Sequence, residues 1–217
     1  MSPIRPDTPT TSLWVIAALL AALALPAQAA SPQQRAAAMT DFQLATQGRE
    51  AAIEPAAAKW RALSDAEPAD PLLRAYAGSA TTMLANTTLL PWRKMSHVED
   101  GLALIDKALA QLTPAHDSLA PEGVAVSLEA RFVAASTFLA LPAMFKRHDR
   151  GERLLAEVLQ HPGLDTAPLS FKASVWLRAG QQAAQAKRAD EARQWLQKAA
   201  SSGTPVAAAA QARLKEL

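Results

Sequence analysis

The chain has 217 residues, with 22 Lys and Arg against 20 Asp and Glu, a formal charge of +2, and no cysteine. The missing Cys excludes a disulfide framework, thiolate metal sites, a cysteine nucleophile and an N-terminal lipid-anchor cysteine. A charge of +2 is too small for the concentrated basic face that nucleic-acid binding requires, and the length fits one domain or at most two.

Residues Leu13 to Leu25 read LWVIAALLAALAL, an apolar run of about 13 residues, short of the roughly 20 that a membrane-spanning helix needs. Pro26 ends the run, and Ala27-Gln28-Ala29 puts small residues at the two positions a signal peptidase reads. The expectation is a signal peptide over 1–29, cleaved after Ala29. The product is then periplasmic, or secreted where the host has a single membrane. Arg5 is offset by Asp7, so the leader is weakly cationic and its removal leaves the charge at +2.

The remainder, 30–217, reads as a single all-α domain. Its long Ala, Leu, Gln, Arg and Glu stretches favour helix, and it contains no alternating run of β-branched residues. Pro and Gly divide it into nine helices, at 31–47, 50–65, 71–87, 95–112, 122–140, 148–160, 166–185, 188–201 and 205–216.

These helices repeat. The clearest unit spans 173–205, with Trp176, Gly180 and Ala183 on its first helix, then Ala192, Leu196 and Ala199 on its second, then Pro205. Small residues at Gly180 and Ala192 let two antiparallel helices approach closely, while Trp176 and Leu196 fill the seam. The small-large-small pattern of the second helix recurs as Ala56-Trp60-Leu63, Gly101-Ile105-Ala108 and Gly151-Leu155-Val158, each followed by a helix stopper. The starts lie 45, 50 and 41 residues apart.

The unit at 173–205 resembles the tetratricopeptide repeat, with Pro205 one residue late and spacings longer than that family's 34 residues. The resemblance implies antiparallel helix hairpins stacked as a short right-handed solenoid, with Val206 to Leu217 as the capping helix that such a stack needs. Crowded helix packing also predicts that Gly180→Leu destabilises the C-terminal hairpin.

Two connections share a composition. Leu90-Pro91-Trp92-Arg93-Lys94-Met95 precedes Gly101, and Leu141-Pro142-Ala143-Met144-Phe145-Lys146-Arg147 precedes Gly151. In each, Leu-Pro closes a helix, an aromatic follows, and a basic pair comes next. Trp92, Arg93, Lys94, Phe145, Lys146 and Arg147 are the candidate partner-binding residues, because loops carry function and aromatic plus cationic groups hold an anionic partner. The plainer reading makes the prolines helix stops, the aromatics plugs between repeats and the cations solvated. The Pro-Trp-basic-Met turn and the helix Gly101-Leu102-Ala103-Leu104-Ile105-Asp106-Lys107-Ala108 resemble those of small exported bacterial tetratricopeptide-like proteins with no assigned activity. A more distant similarity is to the T component of tripartite substrate transporters (TRAP transporters), whose typical lipid anchor this chain lacks.

Marked chemistry is absent: there is no Gly-x-Ser-x-Gly, phosphate-cradling loop or dinucleotide fingerprint. His97, His116, His148 and His161 show no i, i+4 pair. His148-Asp149 meets His97, Glu99 and Asp100 as a metal cluster only if their two turns touch. No catalytic, cofactor or metal residue is expected. The expected function is an exported helical-repeat scaffold that binds a protein or peptide in the cell envelope, without catalysis. The alternative is a small-molecule-binding transport accessory with a pocket between the middle hairpins, lined by Trp92, Met95, Phe132, Phe138, Met144 and Phe145. Aromatics gathered round a void favour that pocket, whereas aromatics dispersed in a filled core favour the scaffold.

Overall fold

Proline and short polar side chains start the helices where the backbone has N–H groups to satisfy. In the computed structural model, which describes residues 31–118 and 123–217, helix α1 (Pro32–Thr46) opens with Pro32 at its first position behind Ser31. The Ser31 hydroxyl accepts the Gln34 N–H, and the Gln34 side chain accepts the Ser31 N–H. Helix α3 (Pro71–Met83) repeats the device, with Asp70 accepting the N–H groups of Leu72 and Leu73. The leader and its cleavage site lie outside the described residues, as does the expected start of the 122–140 helix.

The described residues form ten α-helices and no strand. Besides α1 and α3 these are α2 (Ile53–Ala66), α4 (Pro91–Gln111), α5 (Val126–Ala140), α6 (His148–Gln160), the single turn α7 (Gly163–Thr166), α8 (Leu169–Gln185), α9 (Ala189–Ala200) and α10 (Ala207–Leu214). Several boundaries differ from the sequence reading, among them the end of α3 at Met83 and the start of α5 at Val126. Helix α4 starts at Pro91 and not at 95, because proline at the first helical position lacks an N–H that would have no partner there and has its φ preset. The α6–α8 connection also winds into α7. None of these helices is long and apolar enough to cross a membrane.

Consecutive helices pack in pairs, α1 on α2, α3 on α4, α5 on α6 and α8 on α9, with α10 against α9. The pairs meet through α2–α3, α3–α5 and contacts of α8 with α5 and α6. All twelve residues of the four small-large-small sets are buried, so this spacing marks the buried stripe of α2, α4, α6 and α9. The small members set how closely the axes approach. A Cβ on Gly101 would sit 2.6 Å from the Gly78 carbonyl oxygen, and one on Gly180 would sit 2.6 Å from Leu196 Cγ. Gly180→Leu is therefore expected to wedge α8 from α9, at a cost of about 2 kcal/mol and a fall in Tm of roughly 5 °C. A thermal melt followed by circular dichroism reads this directly, and an unchanged Tm would contradict the close crossing.

Two large apolar clusters result. One centres on Trp60, Leu73 and Tyr76, the other on Ile105, Leu128, Phe138 and Val158. They adjoin where α3 packs on α5, and there the Thr137 hydroxyl donates to Ser79 Oγ at 2.8 Å. The N-terminal end of α5 is held by the Ser127 hydroxyl, which donates to Asp117. That bond is the largest of the influences keeping the Asp117 carboxyl below the ordinary aspartate range.

Candidate functional site

The helices that open the four pairs carry a second face besides the one buried against their partners. On α1 it is Met39, Phe42, Gln43 and Thr46; on α3, Tyr76, Ser79, Thr82 and Met83. On α5 it is Glu129, Phe132, Val133, Ser136, Thr137 and Ala140; on α8, Phe171, Ser174, Arg178 and Gln181. Each set advances by steps of three and four, so it forms a single stripe along its helix. The four stripes border one groove of about 1260 Å³.

Aromatic and methionine side chains dominate its walls. Phe132 and Phe171 meet edge to face with centroids 5.3 Å apart, and so do Phe42 and Tyr76 at 5.1 Å. Behind Tyr76 the buried Trp60 ring stacks at 4.4 Å, fixing this wall from the core side. Among the described residues, three charged side chains border the groove: Lys94 at the rim, Glu129 and Arg178. Glu129 accepts the Tyr76 hydroxyl at 2.5 Å. Arg178 donates through Nη2 to the Ser136 carbonyl at 3.0 Å and through Nη1 to Gln181 Oε1 at 3.5 Å. Its Nε is buried with no partner, as is the Ser136 hydroxyl oxygen, and no carboxylate lies within ion-pair distance of Arg178 among the described residues. Burial lowers the Arg178 pKa to about 10, so the side chain still carries its charge at neutral pH.

The two Leu-Pro connections both border this groove, through Pro91, Lys94 and Met95 on one side and Leu141, Pro142, Met144 and Phe145 on the other. The six candidate partner-binding residues separate into different roles. Lys94 and Phe145 line the groove, while Trp92, Arg93 and Lys146 are exposed beyond it, Trp92 with 67% of its surface accessible. Trp92, Arg93 and Lys94 form the first turn of α4 and so are not a linker. Lys146 takes the left-handed conformation, φ 52°, that ends the short turn Ala143–Phe145.

Arg147 faces inward. Its Nη2 lies 2.9 Å from an Asp106 carboxylate oxygen, Arg150 binds the other oxygen, and both guanidiniums lie over the Phe138 ring at 5.5 and 5.3 Å. Asp106, in the Gly-Leu-x-Leu-Ile-Asp-Lys-Ala helix, thus clamps α4 to the start of α6. Asp106→Ala is expected to leave two cations without a counter-charge and to cost about 1 kcal/mol, given their partial exposure. A melt that matches the parent would show the clamp to be dispensable.

Of the six residues foreseen for a pocket, Met95, Phe132, Met144 and Phe145 line the groove. Phe138 is instead wholly buried in the core, and Trp92 is exposed outside the groove's lining. The groove-facing stripes of α1, α3 and α8 were not foreseen. Their signal was composition: α3, reading LLRAYAGSATTM after its proline, and α5, reading VSLEARFVAASTFLA, are apolar or small nearly all round, whereas α6 and α9 are apolar on one side.

His148, Asp149 and Glu152 bring their ligand atoms within 4.8 Å of one another at the start of α6, and His97 is not among them. The buried Gln182 amide donates to Glu152 at 2.8 Å and lies 3.5 Å from His148 Nε2. This cluster ties α6 to α8. No known protein family, no curated protein and no solved structure matches this chain.

Proposed function

We propose that this protein is a non-catalytic binding protein that holds an apolar small molecule in the groove between the first helices of its four pairs. The observation that carries the reading is the gathering of Phe42, Tyr76, Phe132, Phe145 and Phe171 round an open volume of about 1260 Å³. Ligand sites are concave, mostly apolar and equipped with a few polar groups, and this groove has that make-up. Helices packed as a short tetratricopeptide-like solenoid would present their first members on one concave face, and the export expected from the leader would place the binding in the cell envelope. A transport accessory that carries its ligand to a membrane component fits both features.

The test is a titration with the neutral fluorophore N-phenyl-1-naphthylamine. Saturable enhancement at one site per chain is expected. Emission that stays at its aqueous value through the titration would overturn the reading.

A second reading, an envelope protein or peptide bound at the two Leu-Pro connections, is favoured by a specific feature. Leu89, Trp92 and Met144 are exposed by 93, 67 and 67%, beside the cations Arg93, Lys94 and Lys146. Apolar side chains left in water next to free charge are typical of a contact surface. A crosslinking pull-down from the envelope fraction tests it with Trp92, Arg93 and Lys146 changed to Ala. Arg147 is left intact, since its loss would disturb the Asp106 clamp.

A further inference from the structure

Resting on the groove reading above, we infer that Arg178 and Ser136 form an anion subsite, and that the ligand is an amphiphile with an apolar chain ending in a single carboxylate. A guanidinium partly withdrawn from water without a counter-ion is costly, and Arg178 is half-buried with its Nε fully so. Arg178 spends Nη2 on a main-chain carbonyl and makes only a long contact with Gln181, leaving most of its five N–H donors for a further partner. Its Nε and the Ser136 hydroxyl are both buried and unpartnered, on facing stripes of α8 and α5. A planar guanidinium fork plus one hydroxyl donor suits a carboxylate, whose two oxygens accept in parallel.

The remaining groove chemistry sets the rest of the ligand. Phe132 and Phe171 border the groove on the same two helices as Ser136 and Arg178, and Met95, Met144 and Phe145 extend the apolar wall toward the Leu-Pro connections. Glu129, the one carboxylate among the described residues bordering the groove, accepts the Tyr76 hydroxyl, and its carboxylate lies beyond ion-pair distance of Arg178. Among the described residues the groove therefore offers one part-buried cation without a counter-ion, set in apolar surface. This complements one negative charge on an apolar chain, and it disfavours a cationic head.

The experiment displaces bound N-phenyl-1-naphthylamine with decanoate, decan-1-ol or decyltrimethylammonium, each below its micellar concentration. The wild-type chain should bind decanoate at least about tenfold tighter than the alcohol at pH 7, and the cation most weakly. Arg178→Gln keeps a donor for the Ser136 carbonyl but removes the charge, and it should bind decanoate and decanol alike. Should that variant fold poorly, the wild-type chain alone decides. Its preference for decanoate must vanish as pH falls below roughly 5 and the carboxylate is protonated. Equal binding of the three amphiphiles by the wild type would overturn the carboxylate subsite while leaving the groove a ligand site. Failure of the fluorophore and of all three amphiphiles to bind would overturn both.

Discussion

Trp60→Ala is expected to remove about 4 kcal/mol of stability, in the range for a buried large aromatic, and to lower Tm by roughly 12 °C. Trp60 is 3% exposed, stacks on Tyr76 at 4.4 Å and meets the Phe42 edge at 6.4 Å. Truncation opens a cavity directly behind two groove-lining rings, so binding of the groove probe should weaken together with stability. Trp60→Phe separates the contributions. It retains a ring for Tyr76 and removes an indole N–H that is buried without a partner, so a loss nearer 1 kcal/mol is expected. Equal melting of the Ala and Phe variants would show that this stack contributes nothing particular.

Ser174→Trp is expected to weaken binding of N-phenyl-1-naphthylamine by tenfold or more with Tm within about 2 °C of the parent. Ser174 lies between Phe171 and Arg178 on the groove stripe of α8, is half-buried, and uses its hydroxyl only to donate to the Ser170 carbonyl at 3.0 Å. An indole there extends into open volume and not into packed core, so the change obstructs the site without overpacking the fold. Retained affinity would place the probe elsewhere on the molecule.

The two variants bear on different links between sequence and function, and they follow what was legible in the sequence. The packing of α2, α4, α6 and α9 was readable because each buries one stripe, and a small-large-small spacing at steps of four and three marks it. Ala192, Leu196 and Ala199 are all fully buried, as that spacing requires. The start of α4 is hidden in the sequence because Pro91 reads as a stop, although proline serves equally as the first residue of a helix.

The site was legible only in part. Lys94 and Phe145 reach the groove because they flank it in sequence as well as in space. Arg147 was misplaced by composition alone, since nothing local shows that Asp106, 41 residues earlier, accepts it. The groove itself is a property of four helices together. Met39, Ser79, Ser136 and Arg178 acquire a common role only when α1, α3, α5 and α8 turn the same side inward. The all-round apolar or small composition of α3 and α5 was the available sign, because a helix covered on one side only has no need of it.

The most direct measurement is native mass spectrometry of the chain purified gently from its own host. The groove reading predicts a population heavier than the bare polypeptide by one small amphiphile per chain, released by organic solvent and missing from Ser174→Trp. A spectrum showing only the bare polypeptide, for both the parent and the variant, would contradict it.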